Sequence, residues 1–267
     1  MGKVLSKTFP GEKLLIKVID DLADFLPYLV LVGGWVPYIY AKYIWKNVPT
    51  LAVTTSDIDF GVGVQGFDGK DTVASRVQKL GYGERHVSMD RMIPFVPIVK
   101  DAAGGLKAEV EFITDPTVSK KIVRKIIGME IKINEIEHFS LLLESVITAK
   151  MDEREIQIPP ESMFTFHKLL TFVQRQSKEK LKKDLYYVYY ILRFCPKKEQ
   201  LVDDVLALIK SRKEGKQVKQ NLNEYFSSVD SKGPLFVEEE NGPDAYIDNL
   251  RQDIFERFNR IRQRIAE

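Results

Sequence analysis

The sequence predicts an α+β fold in which a mixed sheet flanked by helices is followed by a helical C-terminal domain. Two observations carry this prediction. Short apolar or alternating runs typical of strands fall within residues 1–157, interleaved with helical patterns. Beyond them the apolar residues recur at helical spacing, and the change coincides with Pro159-Pro160. We therefore predict two domains, one at residues 1–157 and a helical one at residues 158–267.

The elements of the first half follow from their apolar spacing and from the residues that end them. Apolar residues at helical spacing predict a first helix, which Pro27 ends, and Gly81 ends a later one. In chain order we expect helix 14–25, strand 28–32, helix 34–45, strand 56–64, helix 71–80, and strands 93–99 and 106–114. Residues 125–136 and 140–150 are predicted as further strands, with a helix as the alternative for the second run.

Helical periodicity dominates the second half of the chain. The predicted helices cover residues 163–176, 179–193, 199–211 and 246–264. The polar stretches 213–219 and 227–243 are predicted as connections between these helices.

Composition excludes some classes of protein and leaves others open. Cys195 is the single cysteine, so no internal disulfide can form, and we expect a reduced, cytoplasmic setting. No apolar run reaches the roughly 18 residues that a membrane span needs, so no membrane partner is expected. The net charge of +2 indicates no general attraction to nucleic acid, although the basic stretch 175–183 suits a phosphate-bearing partner.

The most informative pattern lies between residues 29 and 60. Val32-Gly33-Gly34-Trp35 ends an apolar run and is followed, after a helical segment, by Ser56-Asp57-Ile58-Asp59-Phe60. Glycines allow backbone N–H groups to approach a phosphate. Alternation along a strand places Asp57 and Asp59 on one face, about 7 Å apart, where carboxylates can hold Mg²⁺. The pattern predicts nucleotidyl transfer, which needs carboxylates that hold metal ions beside a phosphate.

A third carboxylate has to come from another strand, and the run Ala108–Thr114 offers two. Glu109 and Glu111 share one face of this predicted strand, and either could be the third metal ligand. The alternative for both carboxylate pairs is that they form the solvent faces of two amphipathic strands. Aspartate is a poor strand former, so the aspartate pair after the Gly-Gly turn favours a functional role more than the glutamate pair does.

These residues resemble the DNA polymerase β-like nucleotidyltransferase superfamily. Its members place a Gly-Gly or Gly-Ser turn before an Asp-x-Asp strand and take a third carboxylate from a later strand. The resemblance implies a nucleotidyltransferase fold, Mg²⁺ or Mn²⁺ as cofactor and an NTP as substrate. It implies catalytic and metal-binding roles for Asp57, Asp59 and Glu111, and nucleotide-binding roles for Gly33, Gly34 and Ser56. Gly34 stands where serine is usual, which leaves more of the phosphate binding to backbone N–H groups.

The helical half carries a second resemblance, to AbiEii-like nucleotidyltransferases, the toxins of type IV toxin–antitoxin systems. Matched position by position, it implies nucleotide binding by Lys168, Arg175, Lys183 and Asp184. Lys168 and Arg175 are seven residues apart, which predicts that they share one helix face and form a cationic site for a triphosphate. The toxins often carry a second aspartate three residues after the Lys-Asp pair, where this chain has Tyr187.

The sequence thus predicts a metal-dependent enzyme that moves a nucleoside monophosphate from an NTP to an acceptor and releases pyrophosphate. The basic stretch and the toxin resemblance point to RNA as the acceptor and to an antitoxin protein as a partner, while a protein side chain or a small molecule stays open as the acceptor. Two alternatives use the same residues. One is a catalytically inactive nucleotide-sensing or protein-binding module of the same fold, and the other is a metal-dependent phosphodiesterase or nuclease.

Overall fold

The computed structural model describes residues 11–46, 56–63, 67–86, 94–102, 104–241 and 249–266. The chain forms two compact units, Met1–Pro159 and Pro160–Glu267. The boundary predicted from the sequence lies two residues earlier, after residue 157. The predicted α+β class is confirmed, because the first unit contains a mixed sheet flanked by helices and the described part of the second unit is helical.

The sheet of the first unit has eight strands within the described ranges. They are β1 (Leu29–Val32), β2 (Ile58–Val62), β3 (Gly83–His86), β4 (Phe95–Lys100), β5 (Lys107–Thr114), β6 (Ile133–Glu135), β7 (Ile147–Met151) and β8 (Arg154–Ile158). Their order is β3-β4-β5-β2-β1-β8-β7, and β6 pairs with the second half of β5. The pairs β1–β8, β2–β5 and β5–β6 are parallel and the other pairs are antiparallel, so the sheet is mixed.

The strand β2 separates the core from the candidate site. Phe60 is buried, and its ring stacks on that of Phe112 of β5 with the centroids 6.2 Å apart. Because side chains alternate along a strand, Asp59 points to the opposite face of the sheet. Further along that face, a Cβ atom on Gly61 would collide with the ring of Phe139, so the segment after β6 covers this end of β2.

The helices of the first unit are α1 (Glu12–Asp21), α2 (Val36–Ile39), α3 (Val73–Lys79), α4 (Lys120–Ile127) and α5 (Leu141–Glu144). The predicted helix after the Gly-Gly turn is a composite: a 3₁₀ turn at Gly33–Trp35, then α2, then a π-helical turn at Tyr40–Trp45. The buried carboxylate of Glu12 accepts hydrogen bonds from Lys42 at 2.6 Å and from Tyr43 at 2.5 Å. These bonds fix α1 against the π-helical turn.

In the first unit two predicted elements are wrong and two strands are absent from the prediction. The strand predicted over 125–136 is instead the end of α4 followed by β6, because α4 buries its apolar residues at helical spacing. The run 140–150 contains both α5 and β7, so neither single-element prediction is right. The strand β3 is absent from the prediction, since Gly83–His86 carries no apolar residue that could reveal a buried face. The strand β8 was also not predicted.

The second unit consists, in its described part, of the helices α6 (Glu161–Thr171), α7 (Lys178–Phe194), α8 (Lys198–Ser211), α9 (Gly215–Tyr225), α10 (Lys232–Asn241) and α11 (Leu250–Ala266). The helices predicted over 179–193 and 199–211 and the described part of the one over 246–264 are confirmed, whereas the helix predicted over 163–176 ends at Thr171 and continues only as a 3₁₀ turn to Gln174. The stretches 213–219 and 227–243 are not polar connections, because they contain the start of α9 and all of α10. Nowhere in the described part of the chain is a helix long and apolar enough to cross a membrane.

Candidate functional site

The Gly-Gly turn holds the carboxylate of Asp59 at the end of β1. That strand ends at Val32, whose partner on β2 is Asp59. Gly33 follows with a φ of +71°, a left-handed conformation that favours glycine. A Cβ atom on Gly33 would overlap the Oδ2 atom of Asp59. The turn therefore requires glycine twice, once for its backbone angle and once for the close approach of this carboxylate. Gly34 is buried and continues toward α2.

Asp57 directly precedes β2 and lies two residues before Asp59. Both aspartates are half-buried, whereas Ser56 is exposed and its Oγ donates a hydrogen bond to Oδ1 of Asp57 at 3.2 Å. Ile58, between the two aspartates, is fully buried on the other face. The two predicted aspartates thus lie on the side of the sheet that faces away from this part of the core.

Glu111 on β5 is the register partner of Asp59 across a parallel pair of strands. Neighbouring strands lie about 4.8 Å apart, so these two residues lie side by side on one face of the sheet. Asn134 on β6 donates a hydrogen bond from Nδ2 to Oε2 of Glu111 at 2.9 Å. This bond fixes the orientation of the Glu111 carboxylate. Sequence reasoning missed Asn134, because nothing in the polar run around it indicates the strand with which it pairs.

Glu109 has a different environment, although it shares a face of β5 with Glu111. Its register partner is on β4, and its two oxygens accept hydrogen bonds from Arg85 on β3, from Nε at 2.5 Å and from Nη2 at 2.6 Å. These hydrogen bonds, together with the nearby charges of Glu111 and Asp57, raise the pKa of the guanidinium. The register therefore places Glu111 rather than Glu109 beside Asp59.

Asp57, Asp59 and Glu111 form a carboxylate row at the start of β2 and on β5. Their chemistry and their strand positions suit a hard divalent cation. Asp57, Asp59 and Glu111 supply oxygen ligands of the kind that Mg²⁺ and Mn²⁺ prefer. The missing side chain of Gly33 lets one carboxylate oxygen of Asp59 lie against the backbone of the turn. Within the described ranges, no three Asp, Glu, His or Cys side chains are already gathered closely enough to hold one ion.

In the second unit, three of the four predicted residues meet around one buried carboxylate. Asp184 on α7 binds Lys168 on α6 through Oδ1, and Oδ2 accepts a hydrogen bond from Nε of Arg175 at 2.6 Å. The prediction that Lys168 and Arg175 share a helix face is wrong. The helix α6 ends at Thr171, and Arg175 follows a 3₁₀ turn with extended backbone angles. The two cations converge because both bind Asp184.

Because Lys168 and Asp184 are buried, the charges of this cluster interact strongly with one another. Lys168 and Asp184 are 6% and 4% exposed, while the Arg175 side chain is 32% exposed. Burial by itself raises the pKa of the Asp184 carboxyl, but the charges of Lys168 and Arg175 outweigh it and hold this pKa below its usual value. The fourth predicted residue, Lys183, is half-buried, and its charge opposes the burial that raises the pKa of Glu240.

A further buried carboxylate, which sequence reasoning did not single out, fixes the segment after β5. Asp115 is 3% exposed, and its Oδ1 accepts hydrogen bonds from the N–H of Thr117 at 3.0 Å and from its hydroxyl at 2.7 Å. Its Oδ2 accepts one from the N–H of Ser140 at 3.0 Å. Burial opposes ionisation, but the hydrogen bonds outweigh it and lower the pKa of Asp115 to about 2. Asp115 is therefore a structural anchor between β5 and α5.

Comparisons with known proteins give distant similarity to solved structures. No protein-family model matches the sequence, and no curated protein shows significant similarity to it. Among solved structures, the chain is similar to an antigenic nucleotidyltransferase-like protein from Paracoccidioides brasiliensis. The sequence identity is 14% and the TM-score is 0.43, over 78% of this chain and 91% of that one. A similarity at this level establishes no shared activity.

Proposed function

We propose that this chain is a metal-dependent nucleotidyltransferase of the DNA polymerase β-like kind. It transfers a nucleoside monophosphate from an NTP to an acceptor and releases pyrophosphate. The proposal rests on one observation: Asp59 on β2 lies between the turn residue Gly33, which follows β1, and Glu111 on β5. A glycine turn that can bind phosphate through backbone N–H groups and carboxylates on adjacent strands that can bind metal ions are the parts that this reaction requires.

The turn binds the triphosphate in this proposal. Gly33, which is half-buried, and Gly34, which is buried behind it, carry no side chains, and successive N–H groups in such a turn form an anion-binding concavity. The phosphate reaches this concavity from the side of Gly33. Ser56, which is exposed beside Asp57, adds a hydroxyl that can turn from Asp57 and donate to a phosphate oxygen.

In this proposal Asp57, Asp59 and Glu111 would hold Mg²⁺ or Mn²⁺. Bound there, such an ion would neutralise charge on the phosphates and lower the pKa of an acceptor hydroxyl. Glu111, oriented by Asn134, lies on the β5 side of Asp59 and positions the acceptor hydroxyl. Asp59, held by the turn, lies between the triphosphate and the acceptor.

Transfer of label from α-³²P-labelled NTPs tests this proposal. Each NTP is incubated with Mg²⁺ and, in parallel, with total bacterial RNA, a protein extract and a small-molecule extract. We expect labelled acceptor and an equal amount of pyrophosphate from the wild type. In Asp59→Asn and Glu111→Gln the rate should fall about 100-fold or more, because a lost metal ligand removes several kcal/mol of transition-state stabilisation.

A matched control separates these effects from a general loss of charge on the sheet. Glu155 on β8 is an exposed glutamate that pairs with Lys150 at 3.3 Å, so Glu155→Gln should transfer label as the wild type does. NTP binding in calorimetry without transfer to any acceptor contradicts the proposal and supports a nucleotide-sensing module. Shortened instead of lengthened RNA contradicts it in favour of a phosphodiesterase or nuclease.

The finer roles implied by the second resemblance are proposals of their own. They comprise an RNA acceptor, an antitoxin partner, a toxin activity and nucleotide binding by Lys168, Arg175, Lys183 and Asp184. Among the four residues, Arg175 combines exposure with a fixed guanidinium, so Arg175→Gln should weaken NTP binding in calorimetry. Induction of the wild-type chain alone in a bacterial host should arrest growth if it is a toxin, and undiminished growth contradicts that role.

A further inference from the structure

Arg85 lies on the side of the candidate site opposite the Gly-Gly turn. The turn follows β1, on one side of β2, whereas β5, β4 and β3 succeed one another on the other side. The strand register places Arg85 and Glu109 on the same sheet face as Asp59 and Glu111. The two sides of the carboxylate row therefore differ: one offers backbone N–H groups and the other offers a guanidinium.

The guanidinium of Arg85 is held in place by Glu109 and keeps further binding capacity. The two hydrogen bonds to Glu109 use two of the five N–H donors of an arginine side chain. The Arg85 side chain is 43% exposed, so an anion in solvent can reach it. A planar fork already fixed by a carboxylate loses little freedom on binding a phosphate, and its geometry suits bidentate contacts to one.

The charges around Arg85 give it a specific task. Arg85 binds Glu109, which lies two residues before Glu111 on the same face of β5, so the guanidinium is near the groups that the proposed function assigns to the reaction. The charges of Glu111 and Asp57 act on it there. A row of carboxylates repels phosphate groups, and a cation beside the row offsets that repulsion. If the turn binds the triphosphate, the acceptor approaches from the β5 side, where Arg85 lies.

We propose that Arg85 binds a phosphate group of the acceptor, and hence that the acceptor is a phosphate-bearing molecule. This inference rests on the proposed function, because the acceptor exists only for a transfer reaction. Two sources carry the required chemistry: the end of a nucleic-acid strand and a small phosphorylated molecule. Glu109 is the positioning residue in this arrangement, since it acts on the acceptor through Arg85.

Direct binding without NTP tests the inference without requiring turnover. Fluorescence anisotropy measures the Kd for a 5′-fluorescein-labelled decauridylate in Mg²⁺, and calorimetry measures the Kd for uridine 5′-monophosphate beside uridine, which lacks the phosphate. We expect Arg85→Gln to weaken binding of a phosphate-bearing probe about tenfold. Loss with decauridylate alone identifies a nucleic-acid end, and loss with the monophosphate as well identifies any phosphorylated acceptor.

The salt dependence supplies a readout that a purely structural role would not move. For decauridylate, the slope of log Kd against log salt should fall by about 0.7 in Arg85→Gln, as expected for one lost phosphate contact on a single strand. Arg85→Lys keeps the charge and loses the fork, so its Kd should lie between those of the wild type and Arg85→Gln.

Arg154 provides the matched control. Its Nε and Nη2 donate to the two oxygens of Asp20 at 2.5 and 2.8 Å, which is the same pairing of a guanidinium fork with a carboxylate in the same unit. It opens β8, which runs parallel to β1, so it lies toward the end of the sheet away from the turn. Arg154→Gln should bind both probes as the wild type does.

Three results would overturn the inference: wild-type binding by Arg85→Gln, an equal loss in Arg154→Gln, or failure of the wild type to bind either phosphate probe. Failure of the proposed function is a separate result, because it is measured as the absence of label transfer and pyrophosphate. A protein that transfers label but binds phosphate independently of Arg85 remains a nucleotidyltransferase and loses this site.

Discussion

Asp59 and Glu111 are register partners at directly adjacent positions of the parallel strands β2 and β5, and the carboxylate of Asp59 lies against the backbone of Gly33. Like charges at directly adjacent positions of a sheet repel each other and cost stability. The register of β1, β2 and β5 nevertheless places these two acidic residues next to each other. Such an unfavourable arrangement is expected where the site binds a cation, because the cation offsets the repulsion.

Removal of one charge from this pair should separate stability from activity. We expect Asp59→Asn and Glu111→Gln to leave the free energy of unfolding unchanged or to raise it by about 0.2–1 kcal/mol, because the repulsion disappears. Label transfer should fall about 100-fold or more in the same variants. Urea unfolding followed by circular dichroism checks the first expectation. A loss of stability that accounts for the loss of activity would show that the carboxylates are structural.

Gly33→Ala tests the close approach between the turn and Asp59. The substitution places a side chain at a φ of +71° and a Cβ atom on Oδ2 of Asp59. The backbone angle alone costs about 1–2 kcal/mol, and the overlap adds to it. Gly81→Ala is the control, since Gly81 has a φ of +69° and nothing within 4 Å of its added Cβ.

The difference between these two alanine variants in urea unfolding measures the overlap with the carboxylate. Gly33→Ala should be the less stable of the two, and the added substitution Asp59→Ala should restore part of the loss. Equal destabilisation at Gly33 and Gly81 would mean that Asp59 moves aside without cost, and that the turn does not hold it.

Local patterns made most of the fold and the carboxylate row predictable. The alternation that places Asp57 and Asp59 on one face is a property of a single strand, so it is readable without tertiary information. The helix α9 escaped prediction because its buried residues Val218 and Leu222 are isolated within a polar segment. Whether a segment with so weak an apolar pattern forms a helix depends on its packing against other helices, and this packing cannot be seen in the sequence.

The parts of the site that depend on pairing between distant segments could not be predicted. Arg85 meets Glu109 only because β3, β4 and β5 pair in one register, and Asn134 reaches Glu111 only because β6 joins β5. Spacing also misled the prediction for Lys168, whose cationic neighbour comes from beyond the end of α6. The spacing of residues along the chain does not predict contacts between distant segments, because these contacts depend on how the chain folds back and on what it buries.

The buried carboxylate of Asp184 should be essential for the stability of the second unit. Asp184→Asn leaves the Lys168 ammonium buried without its anion, a change that costs about 3–5 kcal/mol. The double variant Lys168→Met/Asp184→Leu should be less destabilised than Asp184→Asn, because neither buried charge remains and the Arg175 side chain, which is 32% exposed, can reach solvent. Urea unfolding of the full chain, monitored by helical circular dichroism, compares them. A double variant that loses as much as the sum of both single changes would show that the pair is not coupled.

The stability of the first unit should fall with acid in part through Asp115. Its pKa is about 2 in the folded protein against 3.8 for the ordinary group. A carboxyl with a depressed folded pKa contributes stability above its unfolded pKa and loses it as the pH falls toward the folded pKa. The full contribution is about 2 kcal/mol, of which about 1 kcal/mol should be lost between pH 5 and pH 3.

Asp115→Asn removes this titration and so isolates it from that of Asp184, whose depressed pKa acts in the same acidic window. The variant should be less stable than the wild type at pH 5, and the difference between them should shrink by about 1 kcal/mol at pH 3. Thr117→Val deletes the hydroxyl that donates to Oδ1 at 2.7 Å and should reduce the pH dependence only in part. If the difference in free energy of unfolding between the wild type and Asp115→Asn stays constant from pH 5 to pH 3, the depressed pKa of Asp115 is contradicted. A carboxyl without a depressed pKa would not make this difference shrink in acid.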